Sequence, residues 1–419
     1  MDLTHFRRII LDQREELTFT DNQQYTERAG QEAIQLNSQL VQIISGIRRC
    51  GKSTLALMSL KDVHFAYVNF DDERIYSIDS QNLDTLLEAL YSVYGKFEYL
   101  FLDEIQNIDS WYLFVNRLLR RKIKIIITGS NSKLLSKEMA SHLTGRYHVI
   151  NLLPYSFTEY LSAKKLVLPN QETTSERGLA INLFTQYLQD GGFPEVVQGE
   201  DKRSYIPTLF EAIITRDIIY RYNIRHVRTF REIATWLGAN YSSEISFNRI
   251  KNIFGLGSEN TAKNYLSYLE EAWLFISLSK FSYKNQESLR NQKIYLTDTS
   301  LALSGSKHSR NEGKLFENFV FLQLFRNSQR DYTEIFYYKS SIEIDFVVVK
   351  SGKVTELIQA AWNLSDKKTL NRETRALLTA SKELKAENLT IITLNESFLI
   401  EKDDLKINVL TVFEWLDRK

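Results

Sequence analysis

The sequence predicts an α/β protein whose first 160 residues form a parallel sheet flanked by helices, and three stretches carry that prediction. Val41-Gln42-Ile43-Ile44 is a short apolar run. It leads through Ser45 into Gly46-Ile47-Arg48-Arg49-Cys50-Gly51-Lys52-Ser53, and Thr54-Leu55-Ala56-Leu57-Met58 then suits a helix. Tyr99-Leu100-Phe101-Leu102 is an apolar run closed by Asp103-Glu104, and Lys122–Ile127 is another, closed by Thr128-Gly129-Ser130. Strands that are apolar along their length are the kind buried on both faces of a parallel sheet. Such sheets bind ligands at the carboxyl ends of their strands, which is where all three runs deliver polar groups.

Bulk composition sets the outer bounds. A chain of 419 residues exceeds what one core organises, so two or more domains are expected. With 43% hydrophobic and 25% charged residues, it has the mix of a soluble globular protein. Lys plus Arg number 53 against 52 for Asp plus Glu, so global charge points to no polyanion partner, and a basic face would have to be local. The single cysteine, Cys50, rules out an internal disulfide and suits a reducing compartment. The start lacks the apolar segment of a signal peptide, and no run of about eighteen apolar residues offers a membrane span. The expectation is a cytoplasmic protein with no membrane association.

Residues 4–40 read as helical and polar, and they place Arg28 on the last turn before the first strand, where it either lines the adenine pocket or, the favoured reading, sits on a solvated helix face. Gly46 to Ser53 fits G-x-x-x-x-G-K-[ST], the phosphate-binding loop, set between a strand and a helix as that motif requires. Gly46 and Gly51 let the backbone curl until successive N–H groups face a phosphate chain, while the new helix aims its positive end there. Gly46, Ile47, Arg48, Arg49, Cys50, Gly51, Lys52, Ser53 and Thr54 are therefore the candidate nucleotide-binding set. Lys52 reaches the β- and γ-phosphates and the Ser53 hydroxyl ligates Mg²⁺.

Val63–Phe70 reads as the next strand, Leu83–Tyr94 as a helix, and Tyr99–Glu104 as the strand that carries the acids. Asp103 is expected to hold Mg²⁺, mainly through water, and Glu104 to polarise the attacking water. At the end of the following strand, Thr128 and Ser130 are both candidates to sense the γ-phosphate or hold that water.

Leu143-Thr144-Gly145-Arg146-Tyr147 completes a series. Strand–loop–helix, Asp-Glu strand, Thr-Gly-Ser strand and Gly-Arg corner, in this order, resemble the AAA+-like P-loop ATPases of bacteria and archaea. Among them the chain is similar to a group that carries a C-terminal domain of unknown function. The resemblance implies ATP as the nucleotide, ATP hydrolysis and a homo-oligomer. It gives Arg146 the role of a finger on a neighbouring subunit's nucleotide, against the alternative of a surface arginine in a structural pair. From related signal-transduction ATPases it also implies that Pro194, in Gly191-Gly192-Phe193-Pro194, approaches the base, the alternative being a helix–turn–helix corner.

The remainder divides into a helical lid over 161–228, a winged-helix domain over 229–300 and a nuclease-like domain over 301–419. Tyr205–Tyr222 reads as one long helix. Within 229–282 the two helices around Phe247–Ile253 and Thr261–Leu269 precede Leu274–Leu278 and Lys280–Tyr283, which are expected to form the wing. Lys263, Asn264 and Ser267 would face a DNA groove, yet Glu259, Glu270 and Glu271 make that helix acidic at both ends. Duplex DNA and a protein client both stay open as partners. In the last domain Glu317, Asp345 and Gln359-Ala360-Ala361 resemble a restriction-endonuclease-like fold. Nuclease chemistry there needs a Glu-x-Lys where this chain has Gln359-Ala360-Ala361, so loss of nuclease activity is expected. A nucleotide-dependent switch with little turnover is the main alternative to an ATPase, and a DNA-processing nuclease motor the disfavoured one.

Overall fold

A computed structural model describes the chain except for residues 1, 21–24, 76–77, 132–141, 144, 284–290, 306–310 and 419. Thr144 of the Gly-Arg corner thus lies outside the described residues. The chain folds as two compact units. The first comprises Met1–Leu166 with Phe193–Gly199 and Glu271–Trp273, and the second Val167–Gly192, Glu200–Glu270 and Leu274–Lys419.

The first unit is a five-stranded parallel sheet. Its strands are β1 (Val41–Ser45), β2 (Phe65–Asn69), β3 (Tyr99–Asp103), β4 (Lys124–Gly129) and β5 (Tyr147–Asn151), in the order β2-β3-β4-β1-β5. β1, β3 and β4 are buried almost throughout, as their apolar runs require. β1 and β4 are neighbours, with Ile44 beside Thr128 and Ser45 beside Gly129. β3 joins β4 on its other side, so the phosphate loop and the two acids open at the same end of the sheet. The helix Leu3–Thr20 sets Phe6, Ile9 and Ile10 into a core shared with Leu86, Leu87 and Leu90 of the helix Leu83–Tyr94.

Residues 25–40 depart from the helical expectation. After Thr20 the described backbone resumes as an extended segment, Arg28 itself has φ −115° and ψ 133°, and a short 3₁₀ turn covers Ala29–Ala33. The cause lies in what this segment packs against. At Gly30 an added Cβ would already touch Leu55 and Leu152 at 3.5 Å, so the chain lies flat on the loop helix.

In the second unit, Val167–Gly192 and Glu200–Glu270 share a body with the C-terminal sheet and do not form compact units of their own. Phe184, on the helix Thr174–Asp190, is fully buried among the edges of Phe316, Phe319 and Phe413. That helix stops where Gly191 takes φ +74°, a place where a Cβ would lie 2.0 Å from Oδ1 of Asp298. The following N–H, of Gly192, donates to Oδ2 of Asp298 at 2.7 Å. The expected long helix over 205–222 runs from Lys202 to Ala212 and then widens into π winding over Ile213–Tyr220.

Further on come a helix Val227–Ala239, β6 (Ser243–Ser246), helices Phe247–Phe254 and Glu259–Glu271, then β7 (Phe275–Ser279) and β8 (Asn291–Leu296). The three strands form an antiparallel sheet in the order β6-β8-β7. Here the expected wing is corrected: β7 pairs with β8, and Lys280–Tyr283 is no strand. Ile294, Tyr295 and Leu296 are fully buried, which suits a central strand, whereas Tyr283 is 75% exposed. Phe281 instead donates its N–H to the Tyr337 carbonyl.

The C-terminal sheet follows the helix Glu312–Asp331 and has six strands. They are β9 (Glu334–Lys339), β10 (Glu343–Lys350), β11 (Lys353–Ala360), β12 (Asn388–Thr393), β13 (Phe398–Lys402) and β14 (Leu405–Thr411). Their order is β13-β14-β12-β11-β10-β9, with β11, β12 and β14 parallel and the outer strands antiparallel. The helix Lys367–Leu384 buries Leu377, Leu378 and Ala380 against it.

Candidate nucleotide-binding site

The phosphate loop is shaped by close backbone contacts. At Gly46 a Cβ would fall 2.0 Å from the carbonyl oxygen of Leu152, so only glycine lets β1 turn there. Arg49 and Gly51 take the left-handed region at φ +67° and +93°, and Gly51 caps the helix Lys52–Leu60. Ile47 and Cys50 are fully buried. The Cys50 thiol donates to the Leu152 carbonyl at 3.3 Å, and burial pushes its pKa up. These residues therefore build the loop from behind and offer a ligand only their backbone.

A cleft of about 380 Å³ opens over the loop. Arg48, Arg49, Gly51, Lys52, Ser53 and Thr54 line it on one side, Asp103 and Glu104 on another, and Pro194 with Glu195 on a third. The Ser53 hydroxyl donates to Asp103 Oδ1 at 2.9 Å. Lys52 is buried, with its ammonium 3.1 Å from the Ile47 carbonyl and 3.8 Å from Glu104 Oε1.

The two acids differ in their surroundings. Burial pushes Asp103 up to about 6, the Glu104 charge adds to this, and hydrogen bonds from Thr128 and Ser53 pull against it. Burial raises Glu104 as well, but Lys52, Gln106 and Arg48 outweigh it and hold its carboxyl below the usual range. Glu104 sits at φ +56°, a left-handed position uncommon for such a side chain and frequent at functional sites.

Thr128 and Ser130, which the sequence left as equal candidates, take separate partners. The Thr128 hydroxyl donates to Asp103 Oδ1 and accepts from the Glu104 N–H at 3.2 Å. The Ser130 hydroxyl donates to Glu104 Oε2 at 3.2 Å, and Gln106 Nε2 also donates to that oxygen.

Arg146 is not brought to this cleft. It is exposed and lines another hollow in the same unit with Leu113, Phe114, Arg117 and Arg120, while its carbonyl accepts from the Val41 N–H at 3.0 Å. Pro194 does reach the nucleotide cleft, at the first position of the short helix Pro194–Gln198, and Glu195 beside it stands 3.5 Å from Arg49.

Of the two readings for Arg28, the favoured solvated face is corrected by the structure. Arg28 lines the cleft and is buried, because its guanidinium bridges three partners. Nε donates to Glu159 Oε1 at 2.9 Å, Nη1 to the Cys50 carbonyl at 2.9 Å and Nη2 to the Leu153 carbonyl at 2.6 Å. Glu159 also closes the capping box of the helix Phe157–Ala163, accepting from the Ser156 N–H at 2.7 Å. The loop is thereby tied to the segment after β5.

A second cleft, of about 1150 Å³, lies in the C-terminal part of the second unit, with Glu317, Glu343, Asp345, Gln359 and Glu373 among its lining residues. Here a residue that sequence reasoning missed decides the chemistry. Buried Lys293 places its ammonium 3.1 Å from Glu317, 2.9 Å from Glu343 and 3.1 Å from Asp345. Gln359 accepts from the Asp345 N–H at 2.8 Å and donates to Glu373 at 2.8 Å.

Comparison with known proteins gives three family matches along the chain. An AAA domain matches residues 38–161, and two domains of unknown function, DUF8612 and DUF4143, match residues 181–311 and 312–411. The uncharacterized protein MJ1544 of Methanocaldococcus jannaschii is 33% identical over 400 residues, covering 91% of this chain and 89% of that one. An uncharacterized protein of Haemophilus influenzae is 29% identical over 399 residues, covering 91% and 95%. Among solved structures, a Signal Transduction ATPase with Numerous Domains (STAND) protein with a tetratricopeptide repeat sensor, from Pyrococcus horikoshii, matches at 16% identity and a TM-score of 0.27. That match covers 72% of this chain and 45% of that one.

Proposed function

The chain belongs to the AAA+-like P-loop ATPases that carry a C-terminal domain of unknown function, and from that premise we propose that it hydrolyses ATP with Mg²⁺ and couples its nucleotide state to self-assembly. One observation carries the proposal: Lys52, Ser53, Asp103 and Glu104 converge on a single cleft at the mouth of the phosphate loop. A serine hydroxyl and a buried carboxylate are hard oxygen donors of the kind Mg²⁺ takes, so Ser53 and Asp103 fit as its holders. Burial, with the neighbouring Glu104 charge, raises the Asp103 pKa, and a cation beside it would offset both. When bound, Mg²⁺ supplies charge neutralisation at the β- and γ-phosphate oxygens.

The chain's own residues have separable roles. Lys52 neutralises phosphate charge, and the N–H groups of the loop hold the phosphate chain in place. Glu104 stays ionised at neutral pH and takes a proton from the attacking water. Ser130 and Gln106 aim its carboxylate, and Thr128 orients Asp103. Arg146, standing apart from the cleft of its own chain, acts on the nucleotide of a neighbouring copy. Pro194 flanks the base. Phosphate release and ATP affinity of wild type beside Lys52→Ala test the reading, since loss of both in the variant is expected and unchanged turnover would sink it.

A second reading, a nucleotide-dependent switch with slow turnover, is favoured by the ties on Glu104: Oε2 is held by Ser130 and Gln106, and Oε1 faces Lys52. We assign residues 161–228 to a lid and 229–300 to a winged helix on the element order there. Lys263 and Asn264 are exposed on its second helix and Ser267 half-buried, which suits contact with duplex DNA or with a protein client. Residues 301–419 are read as a restriction-endonuclease-like domain whose Glu317 and Asp345 are paired with Lys293 of β8, which argues against a nuclease motor. Among the described residues no helix is long and apolar enough to cross a membrane.

A further inference from the structure

Ser45 is the last residue of β1 and directly precedes Gly46 of the phosphate loop. Its hydroxyl accepts a hydrogen bond of 3.0 Å from the indole Nε1 of Trp273, a residue 228 positions later. Ser45 is fully buried and Trp273 is 5% exposed, so water does not compete for this bond. Trp273 holds φ +60°. A bulky side chain in the left-handed region is an outlier, and such outliers persist only where the surroundings impose them. The segment around it is unusual as well. Glu271–Trp273 belong to the first unit, while Glu270 before them and Leu274 after them belong to the second.

We propose that Trp273 is a positioning residue for the phosphate loop. Its N–H holds Ser45 and so fixes the direction in which β1 delivers Gly46 to the phosphates. The inference rests on the reading of Gly46–Ser53 as the ATP-binding loop. Its physical basis is the absence of slack at this turn. Gly46 is pressed so closely on the Leu152 carbonyl that no Cβ fits. A rotation at Ser45 therefore passes directly to the loop N–H groups, and a small misplacement of such groups weakens their grip on a ligand. The converse also holds. Phosphates seated in the loop alter the surroundings of the Trp273 indole, which makes this tryptophan an intrinsic reporter of nucleotide.

The test uses the full-length chain as wild type, Trp273→Phe, Ser45→Ala and the double variant. ATP affinity is measured by calorimetry and tryptophan emission is followed in the same titrations. Each single variant should weaken ATP binding by roughly three- to tenfold, the worth of one buried hydrogen bond. The double variant should lose no more than either single one. Trp273→Phe should also remove most of the emission change that ATP causes in wild type, a readout that a distant structural role would not move. Wild-type affinity in both single variants, additive losses, or an unchanged emission response in Trp273→Phe would each overturn the proposal. Ser45→Ala keeps the affinity arm decisive should the tryptophan variant fold poorly. A wild-type chain that takes up no ATP in the calorimeter would instead overturn the nucleotide reading beneath it, which keeps the two failures distinct.

Discussion

The ammonium of Lys293 lies 3.1 Å from Oδ1 of Asp345, and the same ammonium reaches Glu317 and Glu343. Although burial works against its charge, the acids around it hold Lys293 protonated. One buried side chain thus sets a positive charge among three carboxylates, and Lys339 adds a second beside Glu343 at 3.4 Å.

Lys293→Met should therefore be strongly destabilising. It strips Glu317 and Asp345 of their ion pair and leaves Glu343 with Lys339 alone, and breaking a buried pair from one side costs on the order of 3–5 kcal/mol. Denaturant unfolding checks this, and adding Asp345→Asn should recover part of the loss. An unchanged midpoint for Lys293→Met would contradict the account.

Glu317 sets a pH dependence whose sign can be worked out. Burial pushes its carboxyl up to about 7, Asp345 adds to that, and Lys293 and Tyr295 pull it back. In the unfolded chain it titrates near its ordinary value of 4.5. Between these values the folded state binds the extra proton. This group's contribution therefore falls as pH rises from about 4.5 to about 7. Glu317→Gln should flatten that part of the stability curve, as thermal melts across the window would record.

Arg28 is expected to matter twice. Arg28→Ala strips the buried Glu159 of its ion pair and the Cys50 carbonyl of a donor. The loss should be roughly 3 kcal/mol of stability, together with weaker ATP binding. Arg28→Lys should rescue little, because an ammonium cannot serve three partners in a planar fork. Full rescue by lysine in both melting and ATP titration would reduce Arg28 to a point charge.

Arg146→Ala should leave ATP affinity intact, since the residue lines a different hollow from the nucleotide cleft. It should lower turnover by a hundredfold or more, as loss of a finger does, on the order of 10³. Wild-type turnover per chain should rise with protein concentration, and that rise should vanish in the variant. Normal hydrolysis by Arg146→Ala would leave it a surface residue.

What the sequence made legible was local. Gly46–Ser53 and Asp103-Glu104 are short runs in which residue type and spacing carry the chemistry, and the apolar strands before them announce the sheet. What it hid depends on partners far along the chain. Arg28 reads as one more polar residue until Glu159, 131 positions later, draws it inward. Lys293 drew no notice in the sequence, because its three acids come from two other elements. The strand expected at Lys280–Tyr283 is absent, and Asn291–Leu296 pairs with β7 instead. Trp273 gave no sign at all, since neither its backbone conformation nor its bond to Ser45 leaves a mark in sequence.

The account's central claim is that Glu104 is the base of an ATPase. The most direct measurement is phosphate release from ATP in the presence of Mg²⁺, by wild type and Glu104→Gln, with ATP affinity taken on the same samples. The account predicts that Glu104→Gln binds ATP at least as tightly as wild type and loses turnover by about 10²–10⁴-fold. Turnover in Glu104→Gln equal to that of wild type would contradict it.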